Sequence, residues 1–321
     1  MCSSDLLTPA QVAALLAALA RRFGLAPGAE ISLELDPASF DEARLAGYLA
    51  AGTTRVSLGG QSFDDAVLAS LGRRHRAADL HEAIRWLSGA HRRGDLASWS
   101  LDLIQGLPGQ ELAHWRDQLT QAVASGAPHL SVYELILESG TVFERRWQRG
   151  ALVLPEEDLA ADLMDATSAR LAAAGYGRYE ISNYARPGHA SRHNRVYWSG
   201  AGWWGFGMGA TSAPWGQRLA RPRTRQGWQE WLEAGQPGLE RRAPQRQGPP
   251  FDERLLVGLR RREGVDLQAL AAAHGLGEAD LAALAERLKP WREEGVLRME
   301  GSRWRLTDRS EEHTSELQSH S

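Results

Sequence analysis

The first half of the chain alternates between short β-rich runs and segments with helical hydrophobic periodicity. Helical spacing is clearest between Val12 and Phe23, directly after a Thr-Pro pair. A capping box formed by Ser39 and Glu42 is predicted to start the second helix. The full predicted order is strand 31–35, helix up to about 52, strand 55–58, helices 64–70 and 77–91, strand 99–104, helix 112–125, strand 129–133 and helix 155–174. Such alternation indicates parallel β/α units, and both an open doubly wound sheet and a barrel or partial barrel fit it.

The second half is organised differently. Between residues 186 and 250, Gly, Trp, Pro and Arg dominate, and the pattern predicts loops, one short helix at 226–232 and a linker at 235–250. Periodicity returns after residue 250. The predicted elements there are a helix from about 255, a helix pair at 267–274 and 278–288, and a hairpin with strands 297–299 and 304–306. This order is typical of a winged-helix unit.

Polar side chains stand near the ends of the predicted strands. They are Glu34, Gln61, Asp102 and the pair Tyr133-Glu134. Because the carboxyl ends of successive parallel strands share one edge, we expect these groups to converge on a single ligand site. Carboxylates and an amide suit a small ligand that carries amine, hydroxyl or ribose donors.

Composition narrows the class of protein. The 321 residues carry a net charge of −3, with 43% apolar and 24% charged residues, as in ordinary globular proteins. No apolar run reaches the roughly 18 residues of a membrane span, and no signal-peptide pattern is present, so a cytoplasmic protein is expected. The slightly acidic balance argues against a general nucleic-acid binder. Cys2 is the only cysteine, which excludes a disulfide and a thiolate metal site within this chain.

Tryptophan is abundant and unevenly placed. Six of the 12 Trp residues lie between Trp198 and Trp231. They suit either core and surface packing or a wall for a flat aromatic ligand, and the sequence leaves both interpretations open.

The two ends differ in composition from the rest. Residues 309–321 have no Ala or Gly, and RSEEHTSELQSH matches the translation of a sequencing adapter. Residues 1–6, MCSSDL, match its reverse complement. We therefore expect a native part of about 7–308, from a gene fragment cut at both ends.

Several blocks, in order, resemble the radical S-adenosylmethionine (SAM) family of coproporphyrinogen III oxidase-like proteins, in particular its heme-chaperone branch. They are ISLELDPASF, RVSLGGQSFDDAVLASLGRRH, SLDLIQGLPGQ, HLSVYELILESGT and RYEISNYARPGHASRHNRVYW. The resemblance implies an α/β fold, a partial radical SAM (β/α)6 barrel, followed by a C-terminal extension. The family's three-cysteine loop and first two strands are expected before residue 7 and are absent from this chain. The implied boundaries are 7–183 for the barrel remnant, 184–250 for a Trp/Gly-rich segment and linker, and 251–308 for the winged-helix-like α+β unit.

The resemblance also implies site residues and cofactors. The SAM contacts of the family match Glu34, Gln61, Arg73 and Asp102. The HNxxYW motif of the chaperone branch matches His193, Asn194, Tyr197 and Trp198, with His193 as the implied heme ligand. The implied cofactors are S-adenosyl-L-methionine, heme and, in the full-length protein only, a [4Fe-4S] cluster, whose metal ligands this chain lacks.

The implied function is binding of heme and its delivery to hemoproteins, with peripheral membrane association and oligomeric state left open. One alternative is an enzyme, oxygen-independent coproporphyrinogen III oxidase, which the HNxxYW block disfavours. Another is a winged-helix nucleic-acid binder that uses 251–308. This segment has 10 basic and 11 acidic residues and so lacks a basic footprint, and no nucleic-acid partner is expected.

Overall fold

A computed structural model describes residues 7–137, 141–150, 152–214, 216–238 and 249–307. Both ends predicted to derive from adapters, and most of the predicted linker, lie outside the described residues. The chain divides into two compact units, Met1–Ala190 and Ser191–Ser321. The domain boundaries inferred from sequence remain predictions. Across the described ranges, no helix has the length and apolar character needed to cross a membrane.

The first unit alternates helices and strands as the hydrophobic pattern predicts. Its helices are α1 Pro9–Phe23, α2 Glu42–Ala50, α3 Asp65–Ser70, α4 Ala77–Arg93, α5 Leu112–Ala124, α6 Val142–Gln148 and α7 Glu157–Ala173. Its strands are β1 Ser32–Leu35, β2 Arg55–Gln61, β3 Ser98–Gln105, β4 His129–Glu134, β5 Gly177–Glu180 and β6 Asn183–Ala185. The sequence missed α6, β5 and β6, which are short and lack clear periodicity.

These six strands form one sheet in the order β1-β2-β3-β4-β6-β5. The first four strands run parallel, which confirms the predicted β/α units. The last two form an antiparallel hairpin added beside β4. The carboxyl ends of β1–β4 therefore lie along one edge, where the polar strand-end residues are expected.

The two faces of this sheet differ in chemistry. One face is apolar and packs against the helices; its buried members are Leu33, Leu35, Val56, Leu58, Trp99, Leu101, Leu103, Leu130 and Val132. The alternate positions form the opposite face and are polar; on β2–β4 they include Arg55, Ser57, Ser98, Ser100, Asp102, His129, Ser131 and Tyr133. Period-two alternation in the sequence thus places most polar side chains of these strands on one face; Gln105, which accepts a hydrogen bond from Thr167 of α7, lies on the other.

The capping box predicted for the second helix is wrong. Ser39 ends a short 3-10 helix, Pro37–Ser39, and its hydroxyl donates to the carbonyl of Asp36 at 2.7 Å. Asp41 caps α2 instead, with its carboxylate accepting from the amide of Arg44 at 2.7 Å.

The second unit contains α8 Arg192–Ser199, the small hairpin β7 Thr211–Ser212 and β8 Leu219–Ala220, and α9 Arg225–Glu233. The winged-helix-like part follows, with α10 Phe251–Leu259, β9 Val265–Asp266, α11 Leu267–Ala273, α12 Glu278–Arg287, α13 Lys289–Glu293, β10 Leu297–Glu300 and β11 Arg303–Leu306. The predicted hairpin is confirmed, since Leu297 pairs with Leu306, and β9 completes a three-stranded sheet. Trp304 is buried in the small core beside α10 and α11.

Helix α8 was predicted as loop. None of its residues is buried, and eight residues make only about two turns, too few for an apolar repeat to stand out in the sequence. Only the residues at its two ends mark it as a helix. Ser191 caps the amino terminus by accepting from the amide of Asn194, and Gly200 ends the helix in the left-handed region at φ 68°.

Gly60 gives a direct test of the packing on the apolar face. A Cβ at Gly60 would lie 2.7 Å from Leu101 Cδ1 and 3.1 Å from Leu80 Cδ1. We expect Gly60→Ala to lower the free energy of unfolding by about 1–3 kcal/mol, because the core would be overpacked. Urea denaturation measures this change.

The matched control is Gly89→Ala, which lies inside α4. The nearest atom to its Cβ is the flexible end of Arg93, at 3.3 Å. That substitution should stabilise the chain by up to about 1 kcal/mol through helix propensity. Equal effects of the two substitutions on the unfolding midpoint would contradict the packing described for Gly60.

Candidate functional site

The first candidate site lies at the carboxyl edge of β1–β4. Glu34 projects from β1 on the exposed side, and the charge of its carboxylate acts on Asp102 of β3. Tyr133, at the end of β4, also lies within the electrostatic range of Asp102. Gln61 ends β2, where Gly59 pairs with Asp102. The structure therefore brings Glu34 and Tyr133 within electrostatic range of Asp102 and places Gln61 at the end of the neighbouring strand.

Arg73, also predicted here, is placed differently. It lies in the turn after α3, and its charge acts on Asp36, just after the end of β1. No hydrogen bond joins its side chain to Asp102 among the described contacts. Its assignment as a SAM contact remains a prediction.

The Asp102 carboxylate accepts hydrogen bonds from serines on three strands. Ser57 donates to its Oδ2 at 2.7 Å, and Ser100 donates to its Oδ1 at 3.3 Å. Ser131 adds a third hydrogen bond from β4. Burial raises the pKa of Asp102 from 3.8 to about 6, and the Glu34 charge acts in the same direction, whereas the serine hydrogen bonds oppose the shift. The carboxylate is thus fixed in position yet remains costly to ionise.

Gln61 has an unusual backbone conformation and an unpartnered polar atom, two features that are common at ligand-binding positions. Its φ of 61° is in the left-handed region, one of two such non-glycine residues in the described chain, and a bulge interrupts the β2–β3 pairing there. Its Oε1 is buried without a hydrogen-bond partner. A buried acceptor left without a donor is costly, so the site suits a ligand that brings an N–H or O–H group.

His75 was missed by the sequence analysis and connects two strand ends. Its buried Nε2 donates to the Gly60 carbonyl at 3.1 Å, and its Nδ1 lies 3.4 Å from the Asp36 carboxylate. Burial opposes ionisation of Asp36, but the hydrogen bonds from His75 and Ala38 lower its pKa overall. His75 therefore holds the backbone beside Gln61 to the segment that follows Glu34. In the sequence, His75 is marked only by its place inside the basic run RRHR, which does not predict this role.

Two further groups border the edge. Burial raises the pKa of Tyr133 and of its neighbour Glu134. Both remain partly in contact with solvent, and Tyr133 is 43% exposed. At neutral pH the Tyr133 phenol is protonated, and it shares a hydrogen bond with Ser131.

The donor set does not fit an iron–sulfur cluster. Such a cluster needs several thiolates, and the chain has the single cysteine Cys2, which lies outside the described residues. Within the described ranges there is also no group of three His, Cys, Asp or Glu side chains arranged to hold a metal ion.

A second candidate site lies on α8, which carries the HNxxYW motif on a helix and not on a loop. His193 and Tyr197 are one turn apart and meet edge to face, with ring centroids 4.8 Å apart. Tyr197 in turn meets Trp203 at 4.7 Å. Trp198 lies on the adjacent face, beneath the guanidinium of Arg260 at 4.7 Å. The motif therefore presents two different surfaces.

Large apolar side chains are exposed in the segment that follows His193. We call them the aromatic patch: Val196 37% exposed, Tyr197 36%, Trp204 46%, Phe206 58% and Met208 52%. Exposed apolar clusters of this kind mark binding surfaces in soluble proteins. Imidazole next to such a surface suits a flat, apolar ligand with a metal centre.

The chain is similar to known proteins along most of its length. The family model described as the HemN C-terminal domain matches residues 251–310. The heme chaperone HemW of Synechocystis sp. is 42% identical over 274 residues, which are 84% of this chain and 65% of that protein. Radical S-adenosyl methionine domain-containing protein 1 of Bos taurus is 36% identical over 302 residues, which are 91% of this chain and 67% of that protein. The chain thus spans about two thirds of the length of these relatives.

Among solved structures, coproporphyrinogen III oxidase HemN from Escherichia coli, a radical SAM enzyme, has a similar fold. The TM-score is 0.73 at 20% sequence identity, over 94% of this chain and 71% of that one. This similarity confirms the fold class predicted from the sequence: a mixed α/β radical SAM fold followed by a small C-terminal unit.

The raised pKa of Asp102 predicts a specific pH dependence of stability. The native state keeps this proton up to about pH 6, whereas the unfolded chain loses it near pH 3.8, so stability falls as pH rises through that window. Asp102→Asn removes the effect. We expect the variant to gain about 1–3 kcal/mol over the wild type between pH 4 and pH 7.

Urea denaturation of both proteins at several pH values measures this difference. Asp117→Asn is the control, since Asp117 is exposed on α5. A stability difference between wild type and Asp102→Asn that stays constant from pH 4 to pH 7 would show that Asp102 titrates normally.

Proposed function

The chain belongs to the HemW group of the radical SAM, coproporphyrinogen III oxidase-like family, and from this premise we propose that the whole protein is a cytoplasmic heme chaperone. It binds heme on its second unit and SAM on its first, and it delivers heme to acceptor hemoproteins. The observation that carries the proposal is His193, exposed at the start of α8 beside Tyr197 and the aromatic patch.

The residues at the carboxyl edge of the sheet fit SAM. The buried and unpartnered Oε1 of Gln61 accepts one donor of the ligand. The carboxylates of Asp102 and Glu34 face its cationic or hydroxyl groups, and the serine hydrogen bonds keep Asp102 in place. Bound SAM supplies one-electron chemistry when a reduced [4Fe-4S] cluster is beside it. This chain provides no ligands for that cluster.

The second unit supports heme binding through two kinds of contact. His193 offers an imidazole nitrogen, a common axial ligand of heme iron. The aromatic patch, together with Trp203 beside Tyr197, offers apolar area for the porphyrin face. Asn194 lies on the adjoining part of the motif and is half-buried.

The two alternatives are less well supported. The Synechocystis relative is a heme chaperone and shares 42% of the aligned residues, whereas the oxidase from E. coli shares its fold at 20% identity. The segment proposed as a nucleic-acid binder matches the HemN C-terminal domain and has no excess of basic residues.

The SAM site predicts a loss of affinity in two variants. Gln61→Ala removes the unpartnered acceptor, and Asp102→Asn removes the carboxylate charge. Each should weaken SAM binding about fivefold to twentyfold, the effect of losing one or two hydrogen bonds to a charged or polar ligand. Isothermal titration with SAM measures this, with Gln229→Ala and Asp117→Asn as surface controls. Wild-type affinity in both site variants would refute the proposed site.

The heme site predicts a spectroscopic change. His193→Ala should shift or weaken the Soret band and lower heme affinity, because the iron loses its imidazole ligand. Glu34→Ala and Asp102→Ala should leave the band intact, and so should His114→Ala, a histidine on α5 of the first unit. If His193→Ala binds heme with the wild-type spectrum and affinity, the ligand assignment is wrong.

A further inference from the structure

Helix α8 is too weakly anchored to hold its position alone. It has eight residues, and none of them is buried. Isolated helices shorter than about 12–15 residues are marginal in water, so contacts from elsewhere must keep α8 in place. Besides the contact between Tyr197 and Trp203, those contacts come from α10 and its carboxyl end, within the same unit.

The first anchor is at the end of α8. Arg254 of α10 donates to the Gly200 carbonyl at 2.8 Å. A cation at this position also complements the negative end of the helix dipole. A Cβ on Gly200 would overlap the Arg254 guanidinium, so glycine is required for this approach. The left-handed φ of 68° at Gly200 adds a second reason for glycine.

The second anchor is the Trp198 ring. The guanidinium of Arg260, which follows α10 directly, lies 4.7 Å from its centroid. Both side chains are half-buried, so this cation–π contact is partly shielded from water. A third contact, from Arg195 to Glu263 at 3.1 Å, is largely exposed and contributes little.

We propose that Arg254 and Arg260 are positioning residues of the heme site, acting through α8. This inference rests on the proposed heme function and goes beyond it, because it divides the HNxxYW motif into two roles. His193 and Tyr197 face the ligand. Trp198 faces Arg260, and it contributes to heme binding by fixing the helix and not by touching the porphyrin. The winged-helix-like part is then a support for the heme site.

The test is a double-mutant cycle on heme affinity, measured by titration of ferric heme into the full chain and read in the Soret band. Arg260→Leu and Trp198→Leu should each weaken binding about threefold to tenfold, the size of a partly buried cation–π contact. The double variant should be no weaker than either single one, because both remove the same contact. Arg260→Lys should restore part of the loss.

Arg254→Leu should weaken binding similarly, and the matched control Arg298→Leu, at an exposed position of β10, should not. Additive effects of Trp198→Leu and Arg260→Leu would overturn the proposal, since they would show that Trp198 touches heme directly. Wild-type affinity in both single variants would also overturn it. If Arg254→Leu does not fold, the double-mutant cycle of Trp198→Leu and Arg260→Leu still tests the proposal, because both substitutions leave Arg254 intact.

The proposed function fails by a separate result. Heme binding that is absent in the wild-type chain, or insensitive to His193→Ala, would remove the heme site itself. Heme binding that depends on His193 but not on Arg260 or Trp198 would overturn only the positioning role. Melting temperatures and SAM affinities of all variants report whether the loss of heme is local to the second unit.

Discussion

A carboxylate set into the polar face of a sheet must be given hydrogen bonds from its own neighbours, and Asp102 receives them from Ser57, Ser100 and Ser131. Ser57 of β2 pairs in register with Ser100 of β3, and Ser131 of β4 pairs with Asp102 itself. This pattern exists because the strands alternate, with Val56, Leu58 and Leu101 on the helix-packed face. The arrangement holds the carboxylate rigidly while burial still raises its pKa to about 6. A carboxylate that is held in place by hydrogen bonds, yet costly to ionise because it is buried, suits a ligand with donors or positive charge.

The two candidate sites are built in different ways. The proposed SAM site lies on parallel strands, with His75 joining the backbone near Gly60 to Asp36, so its geometry follows from the sheet. The proposed heme site lies on one short helix, α8, whose residues Trp198 and Gly200 are contacted by Arg260 and Arg254. Rigid strand ends suit a small ligand that must be held in one orientation in order to react. A helix held by a few side-chain contacts suits a ligand that must be taken up and released.

Much of the fold could be predicted from the sequence because its elements are strongly patterned. The helices that pack on the sheet show clear periodicity, and the polar residues at strand ends mark the carboxyl edge. Helix α8 could not be found this way, because it buries none of its residues; only Ser191 and Gly200 mark its ends. The roles of His75 and Trp198 were equally hidden. Their partners, Gly60 and Arg260, lie 15 and 62 positions away in the chain, and nothing local in the sequence points to them.

We expect bound SAM to stabilise the ionised carboxylate of Asp102, whose pKa burial raises to about 6. Its titration can be followed directly by carboxyl-carbon NMR of labelled aspartate, in the free chain and at saturating SAM, with Asp102→Asn to assign the signal. We expect a pKa of about 6 in the free chain and a lower pKa with SAM bound, because donors or positive charge of the ligand stabilise the carboxylate. A normal pKa near 4 in the free chain, or a raised pKa that saturating SAM leaves unchanged, would contradict the account.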